Sequence, residues 1–158
     1  ERAQFELPSH HPLREGKMTC TSCHEPHAAT EAKLKTKQRA NDLCTKCHQA
    51  QEGPFVFEHE PVMESCATCH VPHGSVAGRL LTANEPMLCL QCHEFHFHTS
   101  YKATDGVQVL GGVPRQSPNG PEGMNMAFAT KCTQCHPKVH GSDLPSQGIS
   151  SQGRSLTR

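Results

Sequence analysis

Apolar residues in this chain come in short runs separated by polar and turn-forming stretches. The strongest short runs are Phe55-Val56-Phe57 and residues 107–113, both far too short to cross a bilayer as a helix. Residues 28–41 are rich in Ala, Lys, Glu and Leu, a composition that predicts a helix. Asp42 is placed to cap a second helix carrying residues 44–48. Gly53-Pro54 then breaks the chain. Residues 99–131 hold many glycines and prolines, which predicts loop with one short hairpin at 107–113. Residues 1–19 form a polar lead-in, and residues 141–158 are a Ser/Gly/Gln-rich linker or surface arm. The expected fold is mostly irregular with short α-helices and little or no β-sheet, in one domain over residues 1–158.

Composition sharpens this picture. Hydrophobic residues make up 34% of the 158, aromatics 4%, with no Trp and one Tyr. Typical domains are nearer half apolar, so the chain lacks material for an ordinary core. Either it is disordered or another group supplies the missing apolar surface. Ten Cys and thirteen His point to the second. The formal charge is zero, which leaves no basic field to attract nucleic acid. No signal peptide is recognisable, and Glu1 reads as the start of a mature or truncated chain.

All ten cysteines fall into five Cys-x-x-Cys-His motifs: Cys20, Cys23 and His24; Cys44, Cys47 and His48; Cys66, Cys69 and His70; Cys89, Cys92 and His93; Cys132, Cys135 and His136. In a helical turn, positions i, i+3 and i+4 share a face. Both sulfurs can then add to the vinyl groups of one porphyrin while the imidazole takes an axial position on its iron. Disulfides within such pairs would close loops too short to stabilise much. Zinc sites use Cys-x-x-Cys pairs but require no histidine directly after them. With thirteen histidines in 158 residues, five such placements by chance have a probability of about 4 × 10⁻⁶. A thioredoxin-like motif would occur once, beside a βαβ pattern that is missing. The motifs therefore predict five covalently bound haem c groups, attached outside the cytoplasm. The porphyrin faces would supply the missing core.

The motifs also repeat in pairs. Residues 10–52 and 59–98 each read His-x-Pro, then Cys-x-x-Cys-His-x-Pro-His, then a linker, then Cys-x-x-Cys-His. His10 matches His59 and His27 matches His73. The fifth motif and His140 (residues 132–140) follow the haem-free loop 99–131. Eight histidines lie outside the motifs, and five are needed if every iron carries two. His27, His59 and His73 are the best candidates, His10 is preferred to His11 on the His-x-Pro match, and His96, His98 and His140 compete for the fifth iron, with His140 favoured. The histidine after Val71-Pro72 is too close to His70 to reach the opposite face of the same ring, so it should serve a neighbouring iron. Five methionines are present, but their neighbours do not repeat. Bis-histidine ligation predicts low potentials. Closely spaced irons with both axial positions filled suit electron transfer rather than catalysis, so the chain reads as an electron carrier and not an enzyme.

The repeated His-x-Pro … Cys-x-x-Cys-His-x-Pro-His unit resembles the doubled-motif multihaem cytochromes. Residues 128–147, Phe-Ala-Thr-Lys-Cys-Thr-Gln-Cys-His through Val-His-Gly-Ser-Asp-Leu-Pro-Ser-Gln, resemble the C-terminal part of the MtrA/PioA/DmsE family. Those are decahaem cytochromes that work with an outer-membrane porin. The resemblance implies a periplasmic or outer-membrane-associated conduit for extracellular electron transfer. Its partners would be a periplasmic donor, a β-barrel porin and an outer or extracellular acceptor cytochrome. The family carries ten sites and this chain five, and five rings in line would barely cross a hydrocarbon core roughly 30 Å thick. Three alternatives stand beside the conduit: an extracellular cytochrome filament, in which spare histidines such as His11, His96 or His98 ligate a haem of the next subunit; a soluble periplasmic shuttle; and a subunit of a multihaem oxidoreductase.

Overall fold

The computed structural model describes residues 2–29, 33–36, 38–93, 107–110, 113–116, 131–134 and 136–143. It is mostly irregular. Among the described residues there are two one-turn α-helices, α1 (Ala40–Cys44) and α2 (Glu60–Glu64), and several 3₁₀ turns. Strands β1 (Phe57–Glu58), β2 (Val107–Leu110), β3 (Val113–Gln116) and β4 (Gly141–Ser142) form two two-stranded sheets, β1 with β4 and β2 with β3. Among the described residues Ala77 is the one buried side chain of the aliphatic and aromatic class. That agrees with a chain too poor in apolar residues to build its own core.

The chain divides into two compact units, residues 1–83 with 136–158, and residues 84–135. In the first unit the first motif and the linker of each copy of the repeat fold alike. After the first motif the linker turns back on it. Glu25 N donates to the Lys33 carbonyl (2.7 Å), Lys35 N donates to the Cys23 carbonyl (2.9 Å), and His24 and Leu34 form a β-bridge. After the third motif Val71 N donates to the Leu80 carbonyl (2.7 Å), Thr82 N donates to the Cys69 carbonyl (2.9 Å), and His70 bridges Leu81. Lys33 and Leu80 both have positive φ, at 48° and 57°, where each linker reverses.

The helix expected over residues 28–41 is not what forms. Among its described residues only Ala40 and Asn41 are helical, as the start of α1. An isolated helix of that length is marginal in water. Here the linker's backbone groups find partners on the preceding motif instead. The N-cap of α1 is Arg39 rather than Asp42, which sits inside the first turn and accepts from Arg39 N through Oδ2 (3.2 Å). The helix ends at Cys44, so it delivers the second motif and does not carry all of it. In α2, Pro61 sits in the first turn, where its missing N–H leaves no bond unmade.

The polar lead-in is folded too. Ser9 and Ser75 form a β-bridge, and Leu80 N donates to Ser9 Oγ (2.7 Å). This fastens the N-terminal segment to the linker of the second copy. Beyond the fifth motif, β4 pairs with β1 (Phe57 opposite Ser142, Glu58 opposite Gly141), and Val56 N donates to Asp143 Oδ1 (3.1 Å). The rest of the C-terminal arm lies outside the described residues. In the second unit, the hairpin expected near 107–113 appears as β2 and β3, with Val107 opposite Gln116 and Leu110 opposite Val113.

Candidate haem-binding sites

The first four motifs adopt one conformation. A 3₁₀ turn starts at the first cysteine in the first, third and fourth, and α1 ends there in the second. In each, the histidine N–H donates to the carbonyl of the first cysteine: His24 to Cys20 (2.9 Å), His48 to Cys44 (3.0 Å), His70 to Cys66 (3.0 Å), His93 to Cys89 (2.9 Å). That bond closes a helical turn, which brings the cysteine and histidine side chains to one side. The fifth motif opens with the same turn, Cys132–Gln134. Cys135 lies outside the described residues, and Nε2 of His136 is buried.

Three motif histidines face histidines from elsewhere in the chain. Ring centres are 5.9 Å apart for His24 and His73, 6.3 Å for His48 and His11, and 6.2 Å for His70 and His140. Two imidazoles on opposite sides of one metal, each bound at roughly 2 Å, put their ring centres about 6 Å apart. The residues therefore fit the group: each pair leaves the space a haem iron needs between a motif histidine and a second donor. Each pair also joins one histidine inside a motif to one outside.

Hydrogen bonds orient several of these rings. His11 Nδ1 donates to the Pro72 carbonyl (2.7 Å), His70 Nδ1 to the Arg79 carbonyl (3.0 Å) and His59 Nδ1 to the Val139 carbonyl (2.8 Å). With Nδ1 as donor, Nε2 is the basic nitrogen, which is the tautomer a metal ligand requires. Phe5 packs against His73 with ring centres 5.3 Å apart. Burial, and then the neighbouring His70 and His59, hold His140 below the ordinary histidine value, which favours the neutral form.

His10 is placed differently. Its Nδ1 donates to the Leu7 carbonyl (2.6 Å) and its Nε2 lies 3.2 Å from Glu15. The Leu7 carbonyl and then Glu15 raise its pKa. Of this adjacent pair, the structure sets His11 opposite a motif histidine. His140, favoured from sequence for the fifth iron, stands opposite His70. His27 is exposed. His96 and His98 lie outside the described residues.

Two residues with no sequence signature complete the sites. Asn41, buried ahead of Cys44, accepts from Cys66 N through Oδ1 (2.8 Å). Glu85, ahead of Cys89, accepts from Thr133 N (2.8 Å) and Thr133 Oγ1 (2.9 Å). A single Asn or Glu before a motif carries no recognisable pattern.

Repeated Cys-x-x-Cys-His turns, paired histidines and a nearly absent apolar core together define a multihaem c-type cytochrome. Residues 10–53 and 59–97 match the doubled CXXCH motif family, and the chain belongs to that family. Over 146 residues it is 37% identical to Multiheme cytochrome MtrA of Shewanella baltica (strain OS185), an alignment that covers 92% of this chain and 41% of that protein. The chain thus spans about two-fifths of the length of this curated relative.

Proposed function

We propose that the chain carries five haem c groups and transfers electrons between redox partner proteins. The observation that carries this reading is the set of three histidine pairs, each close to 6 Å between ring centres. Each haem supplies a one-electron iron couple. The protein's part is to attach the porphyrin through two cysteines and to fill both axial positions. His24 and His73 hold the first iron, His48 and His11 the second, His70 and His140 the third. His59, tethered to Val139 just beyond the fifth motif, is assigned to the iron of His136. The partner of His93 comes from His96 and His98, the two sequence candidates that fall in the same unit.

At the three paired sites two imidazoles would hold each iron and leave no coordination position for a substrate, which favours an electron carrier over a reductase. Covalent haem attachment takes place outside the cytoplasm, and the similarity to a multihaem cytochrome MtrA favours a periplasmic or outer-membrane-associated protein in extracellular electron transfer. A periplasmic donor, an outer or extracellular acceptor cytochrome and a porin are the partners that reading calls for. Among the described residues no helix is long and apolar enough to cross a membrane.

Intact mass and haem-iron spectra of the haem-loaded protein test this. Five attached haems, all low-spin and six-coordinate, are expected. Fewer haems would overturn the count, and a high-spin iron would favour a catalytic role. Negative-stain images of the native material with and without detergent test the setting. Fibres would replace the conduit with a filament, and uniform monomers in both would rule against both.

A further inference from the structure

Each unit contains one place where the first cysteine of a motif meets the first cysteine of the next. In the first unit these are Cys44 and Cys66: burial, and then the neighbouring Cys66 thiol, push the Cys44 thiol up to about 11. Asn41 sits beside them, only 8% exposed, and binds Cys66 N while its Nδ2 donates to the carbonyls of Val62 (3.1 Å) and Met63 (3.4 Å). In the second unit the cysteines are Cys89 and Cys132. Their sulfurs and a carboxylate oxygen of Glu85 all lie within 4.8 Å of one another. Glu85 is half-buried and uses both oxygens to accept from Thr133.

The two junctions have the same plan. A side chain just ahead of an even-numbered motif holds a backbone N–H in the first turn of the odd-numbered motif that follows. Glu85 lies four positions before Cys89, one further out than Asn41 lies from Cys44, and its longer side chain makes up the difference. The junctions join second to third and fourth to fifth, whereas the sequence repeat pairs first with second and third with fourth. What differs is charge: a neutral amide stands at one junction and a carboxylate at the other. Glu85, Cys89 and Cys132 also have the spacing of a thiolate metal site, but thioether formation consumes both thiolates.

We propose that Glu85 sets potential: its carboxylate, fixed by Thr133 between Cys89 and Cys132, lowers the reduction potentials of the two haems attached there relative to the two at the Asn41 junction. This rests on the reading that Cys89 and Cys132 both carry haem. The Cys89 and Cys132 sulfurs would attach the two porphyrins, so each haem held there would have this carboxylate within 4.8 Å of one of its attaching sulfurs. Reduction removes one positive charge from the iron, and a fixed anion nearby makes that less favourable. At the effective dielectric of a protein surface, a unit charge at that range shifts a one-electron equilibrium on the order of tenfold. The hydrogen bonds from Thr133 fix the charge in place and are the kind of outer contact that tunes a metal centre.

The test is an optical redox titration of the haem-loaded protein and of Glu85→Gln, with attached haems counted by intact mass. Glu85→Gln keeps an acceptor for Thr133 and removes the charge. Two components should rise by about tenfold in their reduction equilibrium, 59 mV for a one-electron couple, and the rest should not move. Glu85→Asp, which restores the charge, should return both towards their original potentials. The converse variant Asn41→Asp should lower two different components. Superimposable titrations with all haems attached, or an equal shift of every component, would overturn the proposal. If Glu85→Gln attaches fewer haems, Asn41→Asp decides by itself, since a new charge there must lower two components or the reasoning fails. An unmodified Cys89 or Cys132 in the parent protein would instead overturn the five-haem reading.

Discussion

Replacing Asn41 with alanine should loosen the seam between the second and third motifs by about 2–4 kcal/mol. Asn41 is buried and makes two good hydrogen bonds, to Cys66 N at 2.8 Å and to the Val62 carbonyl at 3.1 Å, with a longer contact to Met63 at 3.4 Å. Removing the amide strands one donor and one acceptor. Each stranded group costs roughly 1–3 kcal/mol, and the lower half of that range applies because Val62 and Cys66 are themselves only half-buried. The long bond to Met63 adds little. Guanidinium unfolding of the haem-loaded protein, followed by far-ultraviolet circular dichroism and by the circular dichroism of the haem band, measures the loss. Asn84→Ala is the control. Asn84 is exposed, so its substitution should stay within about 0.5 kcal/mol of the parent. Equal midpoints and slopes for the two variants would refute the structural role given to Asn41.

Three further outcomes are expected. His11→Met should introduce a sulfur-to-iron absorption band and raise one component by on the order of 100 mV, within the ~0.8 V that axial ligands span; His10→Met should show no such band, and the reverse result would exchange the two histidines. Gly141→Ala should destabilise the protein by roughly 1–3 kcal/mol in the same denaturation assay, because Gly141 has φ +140° and a Cβ there would run into the ring of Phe55. Protein produced without haem should lack the far-ultraviolet signal of the native fold, since metal-site formation and folding are coupled; native-like circular dichroism in that apoprotein would contradict a haem-built core.

Much of the site was legible in the sequence, because covalent haem attachment needs fixed local spacings. The motifs, the doubling and the shortage of core residues all follow from reading along the chain. The hairpin over Val107–Leu110 and Val113–Gln116 was legible from β-branched residues bounded by glycine and proline. The linker over residues 28–41 was misread because helix propensity is a weak prior. Its backbone closes on Cys23 and Glu25, a tertiary preference that composition does not express. The contact that sets His11 rather than His10 opposite His48 is likewise not expressed in the sequence. Matching His-x-Pro patterns aligns positions in sequence, whereas the His11 ring is held by a contact with Pro72, just after the first motif of the other copy. Asn41 and Glu85 left no trace, since one hydrogen-bonding side chain has no pattern.

The histidine pairs explain why so little apolar material suffices. His73 of the second copy faces His24 of the first, and His140 beyond the fifth motif faces His70 of the second copy. His11 faces His48 within the first copy, but Pro72 of the second holds its ring. No motif among these three has its facing histidine within its own short turn. Each therefore needs a distant part of the chain to be in place, and each pair that a metal bridges removes freedom from the unfolded chain as a long-range cross-link does. A hydrophobic core performs this task by burying surface from many segments at once. Among the described residues Ala77 is the one buried side chain of the aliphatic and aromatic class, and on the proposed reading the closing of the chain falls to pairs of imidazoles. The Asn41 and Glu85 junctions connect the motifs that the repeat itself leaves apart. Within each unit, then, one polar side chain ties the start of one motif to the start of the next, and that tie stands where an apolar core would otherwise hold the segments together.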